Sequence, residues 1–260
     1  MEQCLRDLLK AVSYVHPKYY KTSSMHFMPK EGALILEDQE EYNINRAKIV
    51  MQACENSFTA ELYHQYRNII DDQLNYTWLK RRASSRDYYF NNIWNESYYN
   101  NLYLNFDINK MFHYTDPDSR FCRPDLVLHG GQDNMSIQKM IIEVKASVFG
   151  VSRSALQNDL KKLQKGIGDG LKFEYGVFIN VNSSFNNIKD QIAGDGLFHR
   201  LTSEEKCKLF LINIFLPLQG EGDWDRRGYT DIQLLPFSNI EARFGNVEKT
   251  IPVYALREEI

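Results

Sequence analysis

Apolar positions repeat along the chain with two periods, and the alternation between them predicts the elements. Leu5, Leu8, Leu9, Val12 and Val15 recur at helical spacing, and Pro17 ends the run, so the chain starts with a packing helix. GALILED, from Gly32, reads as a short strand and EYNINRAKIVMQAC as a helix. ENSFTAELYHQYRNIIDD is a clearer helix. Phe58, Leu62, Tyr66, Ile69 and Ile70 form its apolar stripe, with Glu61 and Gln65 one turn apart along the edge. LYLNFDI supplies a first core strand. Leu126 to Leu128 and Met140 to Val144 are two short apolar runs joined by HGGQDN, a polar turn. Then come a helix in SALQNDLKKLQK, with Leu156, Leu160 and Leu163 on one face, and a strand in EYGVFINVN. NNIKDQIAG is a short helix, KCKLFLINIFLP another core strand, and DIQLLPF and TIPVYAL short strands that cover a sheet edge or form a hairpin.

This order predicts an α/β fold with a mixed central sheet of four to five strands flanked by helices. The 260 residues suit a single domain. Its core spans about 50–215, with an N-terminal helical extension, an aromatic and Asn-rich insertion at about 76–100 and a C-terminal β extension. The composition is that of a globular protein, with 43% hydrophobic and 25% charged residues. A formal net charge of −3 gives no global basic field, so any nucleic-acid contact must come from local patches. Lys80, Arg81 and Arg82, interleaved with aromatics, form one such patch; Lys161 and Lys162 on the later helix form another. A packed insertion and a solvated helix face are the plainer readings of the two.

The four cysteines are scattered without a C-x-x-C pair, which predicts reduced thiols, no disulfide partner and a cytoplasmic location. No signal peptide and no membrane span are expected.

The charges that interrupt the two central strands carry the chemistry. Glu143 and Lys145 share one face of a strand, and Ile142, Val144 and Ala146 share the other. If the strands pair as neighbours, the Asp125 carboxylate lies beside that of Glu143. Two carboxylates amid apolar strands are costly to bury unless a positive group sits between them. A divalent cation meets that need, and Lys145 adds a second positive charge. Carboxylate oxygens with a backbone carbonyl are ligands that Mg²⁺ accepts.

Pro124-Asp125, 17 intervening residues and Glu143-Val144-Lys145 resemble the PD-(D/E)XK nuclease superfamily, which includes restriction endonucleases and many phage-defence nucleases. The resemblance implies a restriction-endonuclease-like core and a Mg²⁺-dependent endonuclease acting on DNA, with Mn²⁺ able to substitute. Asp125 and Glu143 would bind the metal with the Val144 carbonyl, and Lys145 would orient or deprotonate the attacking water. The superfamily places an acid on a helix before the catalytic strands. AELYHQYR resembles that helix, so the acid is expected at Glu61, with Glu55 as the fallback. A homodimer would suit double-strand cutting. Two alternatives share the fold: a non-cleaving nucleic-acid-binding or sensor module, and a defence nuclease silent until a partner or ligand activates it.

Other chemistries have little support. The six histidines form no H-x-x-x-H pair, and His129 beside two glycines reads as structural. No G-x-S-x-G elbow or nucleotide-binding glycine motif is present.

Overall fold

The computed structural model describes residues 2–16, 19, 55–74, 98–106, 124–130, 137–146, 152–168, 171–181, 185–215, 231–240 and 250–252. Helix α1 (Gln3–Tyr14) and a helix α2 over residues 55–74 precede strands β1 (Tyr103–Phe106), β2 (Leu126–His129) and β3 (Gln138–Ala146). Helix α3 (Arg153–Ile167) leads to β4 (Tyr175–Val181), then α4 (Phe185–Ala193), α5 (Ser203–Lys208), β5 (Leu209–Phe215), β6 (Asp231–Pro236) and β7 (Thr250–Pro252).

All the strands join one sheet in the order β1-β2-β3-β4-β5-β6-β7. β3, β4 and β5 run parallel, while the pairings β1–β2, β2–β3, β5–β6 and β6–β7 are antiparallel. The sheet is therefore wider than the four to five strands expected. DIQLLPF and the described part of TIPVYAL pair with each other as antiparallel neighbours and cover the edge of β5, so they add two strands to the sheet. The segment KCKLFLINIFLP also divides differently. Lys206 to Lys208 close α5, which Thr202 and Glu205 cap reciprocally, and only Leu209–Phe215 is strand. GALILED, EYNINRAKIVMQAC up to Cys54 and most of the aromatic insertion, including Lys80, Arg81 and Arg82, lie outside the described residues.

Alternation along each strand sends side chains into two separate cores. On one face Leu126, Leu128, Ile142, Val144, Ile179 and Ile212 pack against α1 and the apolar stripe of α2. α1 is fixed there by polar bonds as well: the Tyr66 hydroxyl donates to the Cys4 carbonyl at 3.0 Å and the Tyr99 hydroxyl to Asp7 at 2.7 Å. On the other face Val127, Ile141, Phe178 and Leu211 meet Leu156, Leu160 and Leu163 of α3, with α4 and the turn Phe198–Arg200 beside them.

Two glycines set how closely α3 approaches that face. A methyl group on Gly166 would lie 2.8 Å from Ile141 Cδ1. One on Gly176 would lie 2.6 Å from Leu209 Cδ2 and 3.3 Å from Ile167 Cγ2. Neither position has room for a side chain at the present spacing of helix and sheet. Among the described residues, no helix is long and apolar enough to cross a membrane.

Candidate active site

The α3-facing side of the sheet is apolar through its middle and turns polar where β3, β4 and β5 end. Asp125 stands immediately before β2. Its Oδ2 accepts the Val144 backbone N–H at 2.7 Å, two residues past the last β2–β3 pair, Leu126 with Ile142. Pro124 has no N–H to continue a ladder, so the aspartate side chain takes over the pairing where the backbone stops. That bond turns the carboxylate toward β3 and Glu143.

Glu143 is fully buried, and among the described residues its side chain is hydrogen-bonded by Lys162 alone, whose Nζ donates to Oε2 at 2.7 Å. Oε1 is buried with no hydrogen-bond partner among the described residues. Lys145, two residues on and on the same face, donates to Glu55 Oε1 at 3.0 Å and lies 3.5 Å from Asp159 Oδ2. Glu55 Oε2 also accepts the Ala146 N–H at 3.4 Å, which pins α2 to the end of β3. Lys162 lies 3.2 Å from Asp159 Oδ1, so Asp159 bridges the two lysines from α3.

Burial and crowding of like charge set the protonation. Desolvation raises the Asp125 pKa to about 6, against the Val144 N–H and Lys145, which favour the charged form. Glu143 is pushed well above the carboxylate range, first by burial and then by the neighbouring charge of Asp125; Lys162 offsets only part of this. Burial works against the charge of Lys145, yet Asp159 and Glu55 outweigh it and raise its pKa, so it stays an ammonium. Lys162 behaves the same way, held charged by Glu143 and Asp159 against its own desolvation.

Four carboxylates (Glu55, Asp125, Glu143 and Asp159) thus face two ammoniums. Fully ionised, the cluster carries two uncompensated negative charges, the equivalent of one divalent cation. Among the described residues, no set of three or more His, Cys, Asp or Glu side chains converges on a metal position. What Asp125 and Glu143 present is a carboxylate pair with one buried oxygen unsatisfied. Mg²⁺, which commonly takes one or two carboxylates and keeps several waters, fits such a donor set.

A row of amides continues from Lys145 across the sheet. Lys145 is in register with Asn180, Asn180 with Asn213, and Asn213 with Gln233. Asn180 Nδ2 donates to Asn213 Oδ1, and Asn213 Nδ2 to Gln233 Oε1 at 3.3 Å. Both asparagines are fully buried.

The structure therefore brings together Asp125, Glu143, Val144 and Lys145 as the sequence predicts, and rearranges the residues around them. Glu61 is not part of the cluster. Its Oε1 accepts from Gln65 of its own helix at 2.7 Å, and the acid that meets Lys145 is the fallback, Glu55. Six residues separate the two on α2, which turns them to different sides of the helix. Lys162, expected on a nucleic-acid surface, is turned inward onto Glu143, while Lys161 beside it is exposed. Asp159 was not anticipated, although a signal existed: Leu156, Asp159, Leu160 and Leu163 follow the i, i+3, i+4, i+7 pattern of a buried stripe, and an acid in such a stripe needs a partner. His129 is structural as expected, buried with its Nε2 2.6 Å from Asn105 Oδ1.

Compared with known proteins, the chain matches no family model, no curated protein and no solved structure.

Proposed function

We propose that this protein is a Mg²⁺-dependent nuclease that hydrolyses phosphodiester bonds in DNA, working in the cytoplasm. The observation that carries the reading is the buried Asp125–Glu143 carboxylate pair, with an unsatisfied oxygen and a charged lysine beside it. The motif resemblance adds the reaction class, and the restriction-endonuclease-like core belongs to the same proposal.

Asp125 and Glu143 would hold the metal, with the Val144 carbonyl as a further ligand. Bound there, Mg²⁺ would supply positive charge to a phosphate oxygen and make a water more acidic. Lys145 orients that water and donates to the developing charge on the phosphate; its raised pKa keeps it an ammonium and makes it a poor base. Glu55 fixes the direction of the Lys145 side chain. The water oxygen attacks phosphorus in line as the bond from phosphorus to O3′ breaks. The water's proton passes to solvent, the departing O3′ takes a proton back from solvent, and the products are a 3′ hydroxyl and a 5′ phosphate. Double-strand cutting by this mechanism would use a second copy of the chain.

The test is cleavage of plasmid, linear duplex, single-stranded DNA and RNA in Mg²⁺, Mn²⁺ or EDTA. Metal-dependent cutting of DNA should fall by roughly 10²–10⁴-fold in Lys145→Ala and Asp125→Ala, the range for losing a positioned catalytic group. Salt-sensitive DNA binding in Mg²⁺ without cutting would replace this reading with a non-cleaving binding module.

A further inference from the structure

Lys162 has a place in the cluster that the metal-binding pair and the Lys145 water site do not account for. It stands on α3, reaches down to a wholly buried glutamate on β3 and shares Asp159 with Lys145. Glu143 is part of a central strand paired on both sides and cannot leave. The lysine side chain is 29% exposed, so it lies at the mouth of the site with solvent behind it. Of the two partners, only the lysine is free to withdraw.

We propose that Lys162 is a built-in counter-ion, a positioning residue that occupies Glu143 in the metal-free protein and yields it to a divalent cation. The inference rests on the metal-dependent reading above and deepens it. A unit positive charge and a divalent ion on one carboxylate repel one another strongly in a poorly solvated site. When the metal takes Glu143, Lys162 therefore falls back on Asp159, its second anchor at 3.2 Å. The withdrawn ammonium then has donors to spare at the mouth, where a backbone phosphate of the substrate enters. Metal entry and substrate entry become linked, because a phosphate that engages Lys162 removes the competitor for Glu143. By the same reciprocity, bound metal releases Lys162 for the phosphate.

The experiment is calorimetric titration of the full chain with Mn²⁺ in the absence of nucleic acid, for wild type, Asp125→Ala, Lys162→Met and Lys162→Arg. Removing the counter-ion charge should tighten Mn²⁺ binding by roughly tenfold or more in Lys162→Met. Lys162→Arg keeps the charge and should stay within about twofold of wild type. A purely structural lysine would give the opposite order, with Met weakening the site and Arg preserving it. Should Lys162→Met fail to fold, Lys162→Gln, which removes the charge but keeps a donor for Glu143, is expected to tighten binding in the same direction. Wild-type binding that depends on Asp125, together with unchanged or weaker binding in the neutral variants, overturns the counter-ion role and leaves the metal reading intact. Absence of Mn²⁺ binding in wild type and in every Lys162 variant overturns both.

Discussion

The two faces of the central sheet are built from the same strands and have opposite chemistry. Toward α1 and α2, Leu126, Ile142, Val144, Ile179 and Ile212 form a dry contact with helix side chains. Toward α3, the same strands begin with Val127, Ile141, Phe178 and Leu211 and finish with Glu143, Lys145, Asn180 and Asn213. One face stabilises; the other spends part of that stability on buried charge. The lesson lies in position as well as face, because Glu143, Lys145, Asn180 and Asn213 sit at the carboxyl ends of the parallel strands, where open α/β sheets place their ligands.

Four substitutions test this contrast. On the dry face, Leu62→Ala removes a fully buried side chain from the α2 contact and should destabilise the protein by about 2–5 kcal/mol. Chemical denaturation measures the loss, while activity per folded molecule stays at wild type. Loss of activity without loss of stability would mean that the apolar face also shapes the site.

Asp125→Asn acts on the polar face with the opposite sign. The amide oxygen still accepts the Val144 N–H, and the charge that opposes Glu143 is gone. For a carboxyl whose pKa is raised on folding, the folded state holds its proton while the unfolded state has already lost it. Stability therefore falls as pH rises from the ordinary aspartate value near 3.8 to about 6, and the full penalty persists above that. The variant should remove the Asp125 share of this slope, leave that of buried Glu143, and gain about 2–3 kcal/mol at pH 7, read from melting or denaturant midpoints across pH 4–8, while losing activity. A variant with the wild-type slope would show that Asp125 ionises normally in the folded protein.

The smallest effect separates two acids of one helix. Glu55→Gln loosens the hold on Lys145 and should lower the cleavage rate by roughly tenfold, whereas Glu61→Gln should leave it within about twofold. Equal losses would return Glu61 to the site and displace Glu55 as the residue that orients the lysine.

Much of the core was legible because it rests on local pattern. The stripe from Phe58 to Ile70, the leucines of α3 and the apolar runs around HGGQDN each lie where their spacing puts them. Asp125, Glu143 and Lys145 stood out because charge within a short apolar strand needs a reason. What escaped depends on how elements meet. Whether Glu55 or Glu61 faces the cluster is decided by how α2 is turned against the end of β3. Whether Lys162 turns outward is decided by the seat of α3 on the sheet. The width of the sheet turned on pairings of short strands, which composition does not encode. The asparagines in VFINV and LINIF were visible as amides in buried strands, yet only the register places them in line with Lys145.

The bare glycines under α3 give the site a mechanical setting far from its chemistry. Lys162 lies one turn before Gly166, so the gap between helix and sheet decides whether its side chain spans to Glu143. A single methyl at Gly166 would press against Ile141 of β3 and push the helix outward with Lys162 and Asp159, leaving Asp125, Glu143 and Lys145 on the sheet in place, whereas one at Gly176 meets first the tip of Leu209 on the next strand. If the site takes a divalent cation as proposed, the competition between that cation and Lys162 becomes adjustable by side-chain bulk at a position that touches neither.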